Sequence, residues 1–215
     1  MFLGHFALAL AAKKAAPKTS LGTTTLAANL ADFVWPLLLI LDVEQVAITP
    51  GLMAASPFDF AHYPWSHSLV AGLVAGLALG LGYYAVRRYG RGALVVGALV
   101  VSHWVLDFFF HRPDLPIWPG GPKVGLGLWD SLPVTLLAEA VALGAGLFVY
   151  LRSTAPSDKK GSIALWALVT FLVAIYVSSI FGPPPPSGHA VGWMALLGWV
   201  VVPWAYYIDR HRRSR

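Results

Sequence analysis

Five stretches of the chain, 68–86, 92–110, 129–151, 162–181 and 190–208, carry almost no charge. At about 20 residues each they are long enough to cross a bilayer as helices. A sixth, 21–41, has the length but holds Asn29, Asp32 and Pro36, and the proline predicts a kink. Composition closes off the soluble alternative. Apolar residues make up 57% of the 215 and charged residues 12%, against roughly 25% charged in soluble domains. Too few Lys and Glu remain to coat a water-facing surface. The fold expected is an all-α membrane bundle of about six spanning helices, forming one integral membrane domain over 1–215. Met1–Ala12 is apolar and precedes Lys13-Lys14, the reverse of a signal peptide. It reads as a retained short helix, only partly inserted, because twelve residues span about 18 Å of a roughly 30 Å core.

Alternating the spans sorts the basic residues by side. Lys13, Lys14, Lys18, Arg87, Arg88, Arg91, Arg152, Lys159, Lys160, Arg210, Arg212, Arg213 and Arg215 fall together, leaving only Arg112 and Lys123 opposite. Thirteen against two is a positive-inside pattern, so the rich face is expected in the cytoplasm and the membrane is expected to be an inner, plasma membrane. The same distribution argues against nucleic acid as the partner of the net charge of +5; the bilayer is the partner expected. Asp42, Glu44, Asp59, Asp114 and Asp130 fall on or near the other face. Cysteine is absent, so any metal must be held by imidazole, carboxylate or backbone oxygen.

Ionisable groups within spans are costly, and here they converge in depth. Counted from the basic end, His5 lies about 12 Å up, Asp32 and His103 about 16 Å, and Asp107 about 22 Å. His67 begins the helix that follows it. His103, Asp107 and His111 recur every four residues, one stripe of one helix, with apolar side chains between. An imidazole and a carboxylate so spaced reach the same point, as two ligands of a divalent ion do; a hydrogen-bonded His–Asp pair steadying the bundle is the simpler alternative. His5, Asp32, His67, His103 and Asp107 are the ligands expected. His62, five residues before His67 across Pro64, is placed in a loop facing substrate and ranked with His111, Asp32 and Asp107 as catalytic. Ser68 is suited to capping a helix or to holding an imidazole. Asn29, one turn before Asp32, either orients that carboxylate, touches bound water or serves as polar glue between helices. Arg112 and Lys123, the two basic residues on the site's side, are suited to an anionic substrate group together with Asp114; an Arg112–Asp114 pair that fixes the loop is the competing reading. His189 and His211 read as interfacial.

Gly4-His5, Ala28-Asn29-Leu30-Ala31-Asp32, Ser66-His67-Ser68, Ser102-His103 through Asp107 and His111-Arg112-Pro113-Asp114 together resemble the YdjM-like, LexA-regulated family of membrane-bound hydrolases taken to be metal-dependent. The resemblance covers roughly 1–130, the expected site half; 131–215 supplies supporting helices and a basic tail. The ligand order also resembles zinc-dependent phospholipase C and its nuclease relatives. That likeness implies ligands of two metals, with Asp107 bridging. The chain departs from it in lacking an initial Trp and a later His-x-x-x-Glu, so a third metal has no counterpart.

The function expected is a metal-dependent hydrolase with one or two divalent ions, zinc foremost. It would act on a phosphoester or ester of a lipid or lipid-linked substrate at the outer half of the membrane. A metal-ion or proton transporter using the same His/Asp cluster is the alternative, and bis-histidine haem a remoter one.

Overall fold

The computed structural model describes residues 1–215, and helices dominate it. α1 (Leu3–Ala15) is followed by α2 (Leu21–Ala28) and α3 (Leu30–Ile40). Short α4 (Pro64–His67) leads into α5 (Leu69–Arg87) and α6 (Gly90–Phe110). Then come α7 (Leu132–Ser153), α8 (Lys159–Phe181), α9 (Gly188–Leu196) and α10 (Val201–Arg210). Five helical segments are long and apolar enough to cross a membrane, counting Gly188–Arg210 as one, and six if the bent α2–α3 pair is a single span. Three antiparallel two-stranded ribbons link the helix ends: β1 (Gln45–Ile48) with β2 (Phe58–His62), β3 (Leu115–Pro116) with β4 (Lys123–Val124), and β5 (Thr154–Pro156) with β6 (Arg212–Ser214).

Local chemistry sets the helix ends. Side chains of Ser20, Ser68, Asp158 and Ser187 accept from the amides of Thr23, Ala71, Gly161 and Ala190, capping α2, α5, α8 and α9. Ser68 is therefore a cap. The bend in 21–41 falls at Asn29, and Pro36 sits inside α3. This corrects the expected kink. Asn29 takes φ −114° and ψ 18° and its amide nitrogen donates to the Thr25 carbonyl at 2.9 Å, closing α2 on itself; α3 leaves at 55°.

α1 lies inside the bundle, against α7 on one side and α2 and α6 on the other. Gly146 of α7 makes the first contact possible, since a Cβ there would come within 2.4 Å of the Ala7 carbonyl. α5 and α6 close just as tightly: a Cβ on Gly76 or Gly80 would fall 2.8 Å from the Gly97 carbonyl or 3.0 Å from that of Ala93. Small residues let helix backbones meet where lipid removes most of the hydrophobic drive between helices.

Basic residues gather at one end. There Lys13 meets Asp209 at 2.8 Å, Ser214 bonds the Pro17 carbonyl at 3.0 Å and Arg212 reaches Thr154 at 3.1 Å. Arg112 and Lys123 lie at the other end, with the β1–β2 and β3–β4 ribbons.

Candidate metal centre

Four helices deliver the five expected ligands to one place. α1 brings His5, α3 Asp32, α4 His67, and α6 His103 with Asp107. Two overlapping triads result, His5–His103–Asp107 and Asp32–His67–His103, each with donor atoms within 4.8 Å of one another. Asp107 Oδ1 lies 3.1 Å from His5 Nε2 and 2.6 Å from the amino group of Met1. Its Oδ2 faces His103 Nε2 at 3.2 Å and His111 Nε2 at 3.9 Å. Asp32 Oδ1 lies 3.4 Å from His67 Nε2 and 3.6 Å from His103 Nε2. The His5 and His103 rings stack at 3.7 Å. His5, His67, His103 and Asp107 are buried, whereas the Asp32 side chain keeps 38% exposure.

What lies behind each imidazole fixes which nitrogen carries its proton. His103 Nδ1 sits 2.9 Å from the Ala28 carbonyl. A carbonyl only accepts, so Nδ1 carries the hydrogen and Nε2 presents a lone pair. For His67 the partner is Ser66 Oγ at 2.7 Å, whose own hydrogen goes to Glu44 Oε2 at 2.5 Å. Ser66 must therefore accept from Nδ1, and His67 Nε2 is again a lone pair. For His111 the partner is Asp114 Oδ1 at 2.9 Å, which also accepts from the Tyr63 hydroxyl at 3.1 Å. The three rings thus hold a proton on Nδ1 behind them and turn Nε2 toward carboxylate oxygens. His103 Nε2 has no hydrogen-bond partner at all, and a bare lone pair facing a carboxylate oxygen is repelled by it. A cation between them turns repulsion into coordination.

The separations suit one. Donors about 2.1 Å from a tetrahedral ion stand roughly 3.4 Å apart, close to the 3.2–3.6 Å linking His103, Asp107, Asp32 and His67. Asp32, His67 and His103 make one three-donor set and His5, His103 and Asp107 the other, with His103 common to both. His5 differs in having no partner behind Nδ1. The residues therefore fit a divalent ion, and the histidine N–H groups are oriented by acceptors as metal-bound imidazoles generally are.

Beyond the membrane-spanning segments, burial pushes the Tyr63 hydroxyl well above its ordinary range, with Asp114 adding to the effect. Burial also lowers His111, against the opposing pull of its Asp114 hydrogen bond, which keeps the ring neutral.

Five expected site residues are placed otherwise. The Asn29 amide is committed to Thr25 and shapes the α2–α3 break. His62 is exposed at the end of β2, paired in register with Gln45, away from the cluster. Arg112 is bound by Asp59 and, at 3.2 Å, by Asp114, so the hairpin β1–β2 and the Asp114 loop neutralise it. Lys123 is exposed and donates to the Ala61 carbonyl at 3.2 Å. Asp114 is buried behind His111 rather than turned toward a substrate.

Several contributors escaped the sequence reading. Glu44, one of the outer acids, is buried and accepts from the Trp65 and Ser66 amides at 2.7 and 2.9 Å, anchoring α4 and with it His67. Glu139 of α7 accepts from the Phe2 and Gly4 amides at 2.6 and 3.0 Å, satisfying the first turn of α1 that presents His5. Adjacency to His67 was a signal for Ser66; Glu44, Glu139 and the Ala28 carbonyl had none. His189 and His211, read as interfacial, pair with Asp42 at 3.0 Å and Asp158 at 2.7 Å.

Comparison of the chain with protein-family models, curated proteins and solved structures finds no match in any of the three.

Proposed function

We propose that this chain is a membrane hydrolase whose His5, Asp32, His67, His103 and Asp107 hold one or two divalent ions. One observation carries the reading: imidazoles whose Nδ1 protons are committed behind them turn bare Nε2 lone pairs onto the oxygens of Asp32 and Asp107. Three nitrogens with two carboxylates, and no sulfur, favour zinc among the common ions. Such an ion would lower the pKa of a water toward 7 and polarise an ester oxygen. His111, its Nδ1 proton held by Asp114 and its Nε2 facing the cluster, is positioned to take a proton from that water and return it to the leaving alcohol. Hydrolysis then adds the elements of water across a phosphoester or ester bond of a lipid substrate. Kinship with YdjM-like hydrolases stays part of the proposal, supported by the meeting of the residues on which that likeness rests.

Orientation belongs to the proposal too. The basic end is cytoplasmic by the positive-inside rule, and the cluster sits toward the outer face of the plasma membrane. Transport of a metal ion or proton is the weaker reading. Between the cluster and the basic end, residues 6–12 of α1, 21–28 of α2 and 92–102 of α6 hold no charged side chain to relay a charge.

Elemental analysis of the purified protein tests the centre, with one or two zinc ions per chain expected. A screen of phosphoesters and lipid esters, run beside ion flux in proteoliposomes, tests the reaction. Flux without hydrolysis would overturn it.

A further inference from the structure

Aromatic side chains cover the cluster at the end away from the basic residues, while a cleft between helices leaves it open sideways. Phe60 and Trp129 tilt over His111 with ring centroids at 4.7 and 4.4 Å, and Trp35 stands edge-on to His67 at 6.0 Å. Phe60, Tyr63 and Trp35 are buried, so this aromatic cover is itself packed under the outer ribbons. Sideways the packing is different. α5 lies along α6, and α3 along α9, with a cleft of about 130 Å³ between α3 and α5. Leu30 and Val34 of α3, Gly72 and Ala75 of α5, and Val100 and His103 of α6 line it, with His67 at its upper end.

The glycine stripe on α5 explains why the cleft exists. Gly76 and Gly80 seat α5 against the backbone of α6, but a Cβ on Gly72, one turn above, would meet nothing within 4 Å. The helices close below and leave space above. The lining reaches Ala75, six residues past the start of α5, about 9 Å deeper into the apolar layer. Its walls are hydrocarbon, and at its upper end stand two of the imidazoles, one of them the partnerless His103 Nε2. Asp32, the one ligand with substantial exposure, belongs to the α3 segment that forms the wall and touches both of those rings.

We infer that the substrate is a lipid phosphoester that reaches the cluster from within the bilayer, its hydrocarbon chain lying in the α3–α5 cleft and its phosphoryl group at Asp32, His67 and His103. This rests on the metal-hydrolase reading and specifies its substrate. An uncharged carboxylic ester would gain only polarisation from a cation held there, whereas an anionic phosphoryl group gains a direct charge pairing in a dry environment. Water adds at phosphorus, the P–O bond to the lipid breaks, and the lipid alcohol leaves with the proton, so phosphate and a neutral lipid are the products.

The experiment uses zinc-loaded protein in nanodiscs with two probes, dioleoyl phosphatidic acid and 4-nitrophenyl phosphate. A Cβ at Gly72 would meet nothing within 4 Å, so Gly72→Phe puts its ring into the open space at the cleft and improves helix propensity. It is expected to cost tenfold or more on the lipid and under twofold on the soluble ester, while Gly72→Ala keeps at least half of both rates. Equal losses on the two probes, or a wild type that cleaves only the soluble one, would overturn the inference. Failure on both probes overturns the hydrolase reading instead. A second arm is independent of turnover: phosphatidic acid with a diazirine in its acyl chain should label Val100, which is 5% exposed and beyond the reach of lipid on the outer surface, and Gly72→Phe should abolish the label. An unlabelled Val100 in the wild type excludes the cleft as the route.

Discussion

Histidine meets aspartate at both ends of this molecule, and the two settings do opposite things. At the basic end His211 turns Nδ1 directly onto Asp158 at 2.7 Å, with side chains 22% and 45% exposed. Water screens that pair and the proton lies between its members, an ordinary surface ion pair of small worth. In the cluster, Ala28, Ser66 and Asp114 hold the Nδ1 proton on the far side of His103, His67 and His111, and it is the opposite nitrogen, Nε2, that faces the carboxylate. The same two residue types make a salt link in one place and a candidate cation site in the other. What differs is the third partner.

The comparison can be broken most directly at Asp107. Asp107→Asn should remove the ion, leaving metal content below a tenth of wild type by elemental analysis, and cut turnover about a thousandfold, the rate equivalent of several kcal/mol. Wild-type metal stoichiometry in an assembled variant would refute the assignment. A smaller effect is expected one layer out. Ser66→Ala and Glu44→Gln release the His67 proton from its acceptor and should weaken zinc binding by about 10- to 100-fold in competition with a chelator. Arg112→Gln comes next. It loosens the loop behind His111 and should lower the melting temperature, yet KM should stay within twofold, because the guanidinium is already occupied by Asp59 and Asp114. A large rise in KM would restore Arg112 as a substrate ligand.

The smallest effect belongs to the basic end. Asp158→Asn should leave metal content unchanged and alter only the acid side of the stability profile. The His211 hydrogen bond holds the Asp158 carboxyl below its ordinary value. Its contribution is therefore complete above the unfolded carboxylate pKa near 4 and fades as pH falls through the lower folded value. Thermal melts of wild type and Asp158→Asn should converge in that acidic window and separate slightly above it.

The spans and the five residues that cluster were legible in the sequence for the same physical reason: a bilayer tolerates few charges, so long apolar runs and the ionisable groups that interrupt them both stand out. The supporting layer was not legible. A backbone carbonyl such as Ala28 leaves no trace in residue type, and Glu44 looked like one more outer acid because its partners at 65 and 66 lie some twenty positions away. Arg112 and Lys123 were placed as substrate ligands because sequence gives charge but not pairing. The Asp59 that neutralises Arg112 is 53 residues distant and arrives only when β2 folds back. Pro36 drew the expected bend for want of any sign that Asn29 would close α2 through Thr25.

The Asn29 break has a wider consequence. Ending α2 there strips its last carbonyls of helical partners, and Ala28's is the one that fixes the His103 proton. Three residues further along, the same elbow carries Asp32. On the proposed reading, the angle between the two half-helices and the affinity for a cation are linked functions: whatever straightens the elbow would loosen the ion, and by reciprocity a bound ion would stiffen the elbow.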